Sequence, residues 1–550
     1  MSLDETRQED VSPIEKASDA TDNADRFSIF DEPIRPDDKP KKKRRLKART
    51  RSLIAAVAVA AGTALLLLTV TLLPQQNAGG SVTSAVTSTA ADETEHLLID
   101  RTKDNAGGVI VQSMQVDNAN GKYSIAFNKS EGAYELIGYE DLELSINAGE
   151  LAEYCASLTA YHKIADTSNM ASFGLDDPVS SVTATYHDGS TTTIHIGDKI
   201  PTEEGFYVRL GDSRDVYVLD MDTANYFLAA DWWYVSTTLF EPPKKQENDE
   251  TGTALLKSLH LTGSGYDYDL SLRRPIASDS SELSFFKYVT TEPFLRGVHD
   301  SVGDDLYGFI SLYASRAAIL HPTAAEKAKY GFNDPLAIVT VTLAIENSST
   351  DDDGKTDYSY YNHCTYTLKV GGVDTDDNYL VMMDGKDVIY QVERDAMSTI
   401  VNRTHENTTT ALLFLKDVST VSKIYFTHKD KSVTFNLTHY PTKEDDDDKL
   451  AVYVDGKKHD TANFRKLYVL MMGLERYGKL EEAPSGKPET TFALYDSEGK
   501  LALHIDCYST SGSLCSVRTS DGELFTIRSG TLSNLLNETE NFLNGKPVQS

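Results

Sequence analysis

The chain has 550 residues and a formal net charge of −31, and 40% of its residues are hydrophobic. That hydrophobic share is enough for packed cores, and the length left after a polar tail and an apolar span allows about three domains of ~150 residues each. The acidic balance argues against nucleic acid as a partner, because phosphate binding needs clustered Lys and Arg.

The beginning of the chain predicts a membrane anchor. Residues 1–38 are polar and acidic, a composition that predicts disorder. A run rich in Lys and Arg follows at 39–51, and residues 53–73 are uncharged and apolar over about the ~20 positions that span hydrocarbon. We therefore predict a disordered cytoplasmic tail with a basic run over 1–52, a transmembrane helix over 53–73 and a linker over 74–95. The basic run places the tail inside and the remainder outside.

Two alternatives concern this region. A cleaved signal peptide fits less well, because the apolar run is long for such a segment and begins only at residue 53. The basic run can also be interpreted as a nuclear or nucleic-acid patch. Directly beside an apolar span, however, it is typical of a segment that sets membrane orientation, and it can also touch anionic lipid. The uncleaved anchor is the preferred interpretation.

Residues 174–219 set the pattern for the rest of the chain. A turn at Asp176-Asp177-Pro178 is followed by two alternating runs joined at Asp188-Gly189, and two further runs flank Gly211-Asp212. Strict alternation between such turns predicts antiparallel strands. The same order recurs from residue 331 and, without the Asp-Pro turn, from residue 491, where Asp521-Gly522 forms the last turn. Internal repetition of this kind predicts the architecture.

Helical periodicity completes each unit. The predicted helices lie at 146–161, 223–230, 300–318, 395–401, after a cap near Asp460, and at 532–543. We predict an α+β fold in which a single N-terminal transmembrane helix precedes three tandem repeats, each an antiparallel β-sheet with packed helices. The predicted limits of the repeat units are 96–243, 244–410 and 411–550.

Four segments of the first unit form a specific pattern: FGLDDP at 173–178, IGD at 196–198, GFYVR at 205–209 and VYVL at 216–219. They resemble the bacterial domain-of-unknown-function 4340 (DUF4340) family. The second unit is similar but looser, and the third is weaker because it lacks the Asp-Pro turn. The resemblance implies a membrane-tethered extracytoplasmic protein, and relatives are often encoded with ABC-type transporter components of the gliding-motility type. It implies no catalytic residues.

Acidic groups offer the first candidate sites. The Asp-Pro turns, including Asn333-Asp334-Pro335, can be interpreted as acid or metal sites, but Asx and Pro residues are typical of turns. Clusters at 351–353, 374–377 and 444–448 can be interpreted as calcium sites, although none matches an EF-hand loop and each lies between predicted strands. We expect solvated loops, and we predict neither metal nor cofactor.

Aromatic and thiol side chains offer the others. Trp232, Trp233 and Tyr234 follow the first short helix; exposed, they would anchor a partner, and buried, they would fill the seam between the first and second units. The seam is the favoured interpretation, and partner binding is the functional alternative. Cys507 and Cys515 lie on neighbouring runs, so they can pair or stay free.

No serine-hydrolase, zinc-protease or phosphate-loop motif occurs in the sequence. We therefore predict a non-enzymatic, single-pass cell-membrane protein with a cytoplasmic N-terminus and an extracytoplasmic C-terminal part. Its expected role is that of an accessory or binding subunit of an ABC-type transport or envelope complex, and its expected partner is a permease or another envelope component. One alternative is a module that binds cell wall or polysaccharide. The other is a hydrolase with a carboxylate pair gathered in space.

Overall fold

A computed structural model describes residues 95–104, 109–279, 281–350, 356–443, 449–509 and 512–549. The predicted tail and transmembrane helix lie outside these residues, as does the predicted linker up to residue 94. Among the helices of the described ranges, none is long and apolar enough to cross a membrane. All described residues belong to one compact unit, Thr89–Ser550.

The first large sheet contains eight antiparallel strands in the order β4-β3-β2-β7-β8-β9-β10-β6, and β1 and β5 form a separate pair. The strands are β1 (His96–Asp100), β2 (Val111–Asn118), β3 (Gly121–Asn128), β4 (Ala133–Leu136), β5 (Ser157–Ala160), β6 (His162–Lys163), β7 (Ser180–Tyr186), β8 (Thr191–Lys199), β9 (Gly205–Leu210), β10 (Tyr217–Asp220) and β11 (Thr238–Phe240). The helices are α1 (Asn147–Ala156) and α2 (Met221–Leu228). Alternate residues of β7 are buried, so the sequence alternation marks the face that packs.

The second large sheet has nine strands in the order β15-β14-β13-β12-β18-β19-β20-β21-β17, and β16 pairs with β11. Its strands are β12 (Thr253–Thr262), β13 (Leu270–Arg273), β14 (Val289–Glu292), β15 (Arg296–Gly297), β16 (Leu312–Tyr313), β17 (Arg316–Leu320), β18 (Ala337–Thr350), β19 (Thr356–Val373), β20 (Tyr379–Met383) and β21 (Val388–Val392). Its helices are α3 (Asp300–Tyr307), α4 (Ala324–Lys329), α5 (Arg394–Val401) and α6 (His405–Thr408).

The third large sheet has nine strands in the order β25-β24-β23-β22-β27-β28-β29-β30-β26. Its strands are β22 (Val421–His428), β23 (Lys431–His439), β24 (Leu450–Val454), β25 (Lys457–His459), β26 (Gly478–Lys479), β27 (Thr490–Asp496), β28 (Leu501–Ser509), β29 (Leu514–Thr519) and β30 (Leu524–Arg528). Its helices are α7 (Thr461–Met472) and α8 (Ser529–Leu543). The predicted cap of α7 is confirmed, because the Asp460 side chain accepts a hydrogen bond from the Asn463 backbone N–H.

The strand order follows one scheme in all three large sheets. Each sheet contains a first meander of three or four strands and a second meander of four strands, and the first strands of the two meanders pair with each other. A short strand that precedes the second meander in the sequence pairs with the last strand of that meander. The fold is thus mostly antiparallel sheet with some helices, an α+β arrangement. The predicted unit limits stay predictions.

Two predicted helices are too long. The helix predicted over 146–161 ends at Ala156, and the next residues form β5, in which Thr159 pairs with Leu97 of β1. The helix predicted over 300–318 ends at Tyr307, and its last part becomes β16 and β17. In both cases an apolar segment with helical spacing pairs instead with a strand that is distant in the sequence. Local periodicity cannot predict such a pairing.

The buried apolar residues form two separate cores. One is continuous through the first and second sheets, from Ile99 to Val401, and the other lies within the third sheet and its helices, from Val421 to Val548. Contact between the second and third sheets therefore depends on other interactions.

Candidate functional site

The Trp232, Trp233 and Tyr234 cluster lies at the boundary of the first and second sheets, here called the first seam. Tyr234 is fully buried, and both tryptophans are half-buried against the core that the two sheets share. The Arg316 guanidinium, from β17, lies 5.7 Å from the centre of the Trp232 ring. The cluster therefore fills the seam, and its role in binding a partner stays a prediction.

Strand pairing and aromatic packing complete the first seam. In the β11–β16 pair, Phe240 lies opposite Leu312. The Phe240 ring stacks on Tyr366 of β19 with ring centres 5.2 Å apart. This seam is apolar and continuous with the core, so the first two sheets form one packed body.

The boundary between the second and third sheets, here called the second seam, is held by buried ion pairs. The Glu523 side chain is only 6% exposed and lies at the turn between β29 and β30. Its Oε2 accepts a hydrogen bond from Arg296 Nε at 2.9 Å, and its Oε1 accepts one from Arg476 Nη1 at 2.6 Å. Arg296 belongs to β15 in the second sheet, and Arg476 lies in the segment between α7 and β26 of the third. Each buried charge thus has a partner, as burial requires.

A cavity of about 310 Å³, here called the seam cavity, lies beside this network. Residues from both sides of the second seam line it, among them Tyr268, Phe294, His405, Glu406, Arg476 and Lys479. The outer wall, Gly478–Lys479, is exposed to solvent, whereas Glu523 on the inner wall is buried. The cavity therefore connects the charged network with the surface.

His405 is 2% exposed and lies against the network. Its Nδ1 is 3.7 Å from Glu523 Oε1, and its ring is edge-on to Phe294 with ring centres 5.5 Å apart. Burial lowers the pKa of His405 to about 4, an effect that the neighbouring Glu523 only partly offsets. The imidazole is therefore neutral at pH 7. Within the described part of the chain, its Nε2 has no hydrogen-bond partner.

Arg476 also keeps one nitrogen without a partner. Its Nη1 binds Glu523, and its Nη2 donates to Thr409 Oγ1 at 2.8 Å and to the Thr410 carbonyl oxygen. Its Nε is buried and unpaired among the residues that the structure describes. Burial lowers the pKa of Arg476, but a guanidinium stays charged in proteins.

The outer charges of the cavity are paired as well. The Tyr268 hydroxyl donates to Glu406 Oε2. Burial raises the pKa of Glu406, but hydrogen bonds, first that from Tyr268, outweigh burial and the net pKa is lowered. Lys479 Nζ lies 2.9 Å from Asp267 Oδ2, and this hydrogen bond raises the pKa of Lys479. The charges on this outer side of the cavity are therefore already paired.

Glu406 and Glu523 both line the seam cavity, so they are the candidate pair for the hypothesis of a carboxylate-dependent hydrolase. A general acid needs a raised pKa, whereas the pKa of Glu406 is lowered. Both Glu523 oxygens are bound to guanidinium groups. Both carboxylates are therefore engaged in contacts within the chain.

Sequence reasoning did not single out the residues of the second seam. It identified the Asp521-Gly522 turn but not Glu523 beside it, and it passed over Arg296, His405 and Arg476. A local signal exists for α6, because Thr404 and Asn407 form a capping box. No local signal exists for the ion pairs, since Arg296 and Glu523 are 227 residues apart.

The other predicted candidates lie in turns, in two strands or outside the described residues. Asp374 Oδ1 accepts the backbone N–H groups of Asp376 and Asn378, each at 2.9 Å, so this cluster stabilises a turn. The acidic clusters at 351–353 and 444–448 lie outside the described residues. No group of three or more His, Cys, Asp or Glu in the described ranges is placed to hold a metal. Cys507 on β28 and Cys515 on β29 are free thiols.

The described chain is thus an antiparallel multi-sheet α+β protein whose sheets meet at an apolar and a charged seam. The model of the family described as Domain of unknown function (DUF4340) matches residues 139–251. Over these residues the chain matches the DUF4340 family, which confirms the predicted resemblance where its four segments lie. The wider resemblance in the second and third units stays a prediction. No curated protein and no solved structure matches the chain.

Proposed function

We propose that this protein is a non-catalytic binding subunit held at the cell membrane by residues 53–73, with its sheets outside the cell and its N-terminus in the cytoplasm. In this proposal the three large sheets are tandem repeats that together present one surface to a protein partner. That partner is an ABC-type permease or another envelope component, as the family resemblance implies.

The observation that carries the proposal is the structural use of the buried charges. Glu523 accepts hydrogen bonds from Arg296 across the second seam and from Arg476 on its own side. Charges used in this way hold two sheets at a fixed position, which favours a rigid binding surface. The continuous apolar core of the first two sheets supports the same role.

The test is purification of the tagged full-length chain from membranes in mild detergent, followed by mass spectrometry of the recovered proteins. A tagged chain of residues 1–95, which keeps the predicted anchor but lacks all three sheets, is the matched control. We expect a permease or its ATPase in near-equal amount with the full-length chain and its absence from the control. Equal recovery with both chains would show that the sheets are not the binding part and would overturn the proposal.

The polysaccharide alternative gives a different result in the same preparation. Recovery of the full-length chain alone, together with its sedimentation on isolated cell-wall material, would replace the accessory role with wall binding. The hydrolase alternative needs a group that can donate a proton, and the paired state of Glu406 and Glu523 does not favour it.

A further inference from the structure

We propose that a groove on the third sheet binds a short segment of the protein partner, and that this segment carries an aromatic side chain. The groove, here called the third-sheet groove, lies between the β22–β23 hairpin and helix α8 and has a volume of about 660 Å³. Apolar side chains from both elements line it: Phe426, Val433, Leu536 and Leu543. The inference deepens the proposed accessory role, on which it rests for the identity of the partner.

The hairpins β2–β3 and β22–β23 correspond to each other residue by residue. Each has a turn of two residues between its paired strands, and the first strand of each pairs with the first strand of the following meander. Counted from these turns, Asn118 corresponds to His428 and Tyr123 corresponds to Val433. The surroundings of Tyr123 in the first sheet therefore show what the place of the third-sheet groove holds there.

In the first sheet this place is filled by the chain's own residues 229–234. The Ala229 carbonyl oxygen accepts hydrogen bonds from Asn118 Nδ2 at 2.8 Å and from the Tyr123 hydroxyl at 2.7 Å. The Tyr234 ring lies against the Tyr123 ring with centres 5.9 Å apart, and Tyr234 is fully buried. A short peptide segment with an aromatic anchor thus packs on the hairpin.

The third sheet leaves the corresponding place open within the described residues. Helices α2 and α8 both begin directly after the last strand of their sheet's second meander, so Leu228, which ends α2, corresponds to Leu536. Helix α8 continues to Leu543, and the chain then runs towards α7, where the Val548 backbone N–H donates to Asn463 Oδ1 at 2.7 Å. Leu543 stays 37% exposed at the groove.

The lining of the third-sheet groove suits a peptide segment. Asn537 of α8 is exposed at the groove, and its amide can both donate to and accept from a peptide backbone, as Asn118 donates to Ala229 in the first sheet. Phe426 and Leu536 offer apolar contacts to a ring, and aromatic residues are the commonest anchors of protein interfaces.

Two segments of this chain itself are less suitable occupants. The predicted linker, residues 74–94, contains no aromatic residue. Residues 229–234 of a second copy are already packed against the core at that copy's own first seam. The groove is therefore assigned to a partner protein.

The probe is a fluorescein-labelled peptide with the sequence of residues 229–237, which copies the segment that fills the corresponding place in the first sheet. Fluorescence anisotropy measures its binding to the full-length protein in lipid nanodiscs, with empty nanodiscs as the blank. We expect saturable binding. The same peptide with Tyr234→Ala should bind at least about tenfold more weakly, because it lacks the aromatic anchor.

Two matched variants locate the binding. Leu543→Glu places a charge in the groove and should weaken peptide binding at least about tenfold. Val469→Glu, at a 54% exposed residue of α7 outside the groove lining, should leave binding unchanged. If Leu543→Glu lowers the melting temperature, Asn537→Arg at an exposed residue of the same wall replaces it, with the same expected loss.

Three results would overturn the inference. They are no saturable binding beyond that of empty nanodiscs, equal binding to wild type and the groove variants, and equal binding of the two peptides. Dimerisation of the full-length protein that Leu543→Glu abolishes would instead assign the groove to a second copy. None of these measurements depends on recovery of a permease with the full-length chain, so failure of this inference and failure of the accessory role are separate outcomes.

Discussion

Gly197 shows why part of the family pattern needs particular residues. A Cβ atom at Gly197 would lie 2.1 Å from the Phe173 carbonyl oxygen. The second sheet repeats the contact, since a Cβ atom at Gly371 would lie 2.1 Å from the Tyr330 carbonyl oxygen. Both distances are far below any normal contact. The FG and IGD segments therefore have a packing reason that needs no catalytic chemistry.

The substitution Gly197→Ala tests this contact. We expect a loss of about 1–3 kcal/mol in the free energy of unfolding, because strand β8 and the segment before Gly174 must move apart. Chemical denaturation measures the change. Gly149→Ala is the matched control, because Gly149 lies in α1 with nothing within 4 Å of the added Cβ and should be neutral or slightly stabilising. Equal stability of the two variants would contradict the packing explanation.

His405 predicts a pH dependence of stability. Burial lowers its pKa from 6.5 to about 4 in the folded protein. Between pH ~6.5 and 4, His405 is therefore protonated in the unfolded chain but neutral in the folded protein. The free energy of unfolding is highest, as far as His405 is concerned, above pH ~6.5, and it decreases as the pH falls towards 4. The charged groups that face the imidazole are Glu523, Glu406, Arg476 and Arg296.

The measurement is the free energy of unfolding of wild type and His405→Gln between pH 7 and 4. We expect wild type to lose up to about 3 kcal/mol more than the variant over this range, because one proton is linked to unfolding. Both proteins contain the same carboxylates, so the difference between their pH profiles excludes the effect of carboxylate titration. Parallel pH profiles of the two proteins would contradict the buried, neutral state of His405.

At the scale of elements, the short helix Asp231–Tyr234 joins the first and second sheets. Its tryptophans pack on the shared core, and Trp233 is edge-on to Tyr226 of α2 with ring centres 5.0 Å apart. On the other side of the cluster, Arg316 of β17 lies over the Trp232 ring, and the helix predicted over 300–318 includes the start of this strand. The surroundings of the aromatic cluster therefore include β17, which the sequence around the cluster does not reveal.

Replacing Trp232 and Trp233 together by alanine should destabilise the first seam. Large-to-small changes of aromatic core residues cost about 3–5 kcal/mol each, and half-burial reduces this. We expect a lower melting temperature in calorimetry. Phe285→Ala, at a 73% exposed ring, is the control and should change little. If the double variant keeps full stability but no longer recovers the partner, the cluster binds the partner rather than stabilising the seam.

The whole molecule combines two apolar cores, and charged contacts at the second seam connect them. The first two sheets share a core, the third has its own, and the ion pairs of Glu523 join them. Separate cores can unfold separately once the connection is weakened. The stability of the molecule should therefore depend on a few buried charges at the second seam.

Glu523→Gln tests this dependence. The change leaves Arg296 and Arg476 buried without their shared anion, which costs roughly 3–5 kcal/mol for a broken buried pair. We expect differential scanning calorimetry to resolve two transitions where wild type shows one. Asp117→Asn, in the exposed pair with Lys122 at 2.6 Å, should leave the trace unchanged. A single transition at the wild-type temperature in Glu523→Gln would show that the network does not join the sheets.

Much of the sheet pattern was predictable because strands are encoded locally. Alternation in residues 180–196 and the Asp188-Gly189 turn gave β7, β8 and their antiparallel pairing. The ends of α1 and α3 were not predictable, because β1 and β21 compete for the same segments from elsewhere in the chain. None of the seam-cavity residues was predicted as part of a site, because the site forms only when residues from distant parts of the chain meet.

The sequence by itself determined the antiparallel strands, their recurrence along the chain, the resemblance over residues 139–251 and the turn role of the described acidic clusters. These features depend on side-chain alternation and on turn residues within about ten positions of one another. Only the tertiary structure decided that one seam is apolar and the other charged, and that Arg296, His405 and Arg476 gather around Glu523 beside one cavity. Burial, pKa and pairing are properties of groups brought together in space, so no local pattern in the chain records them.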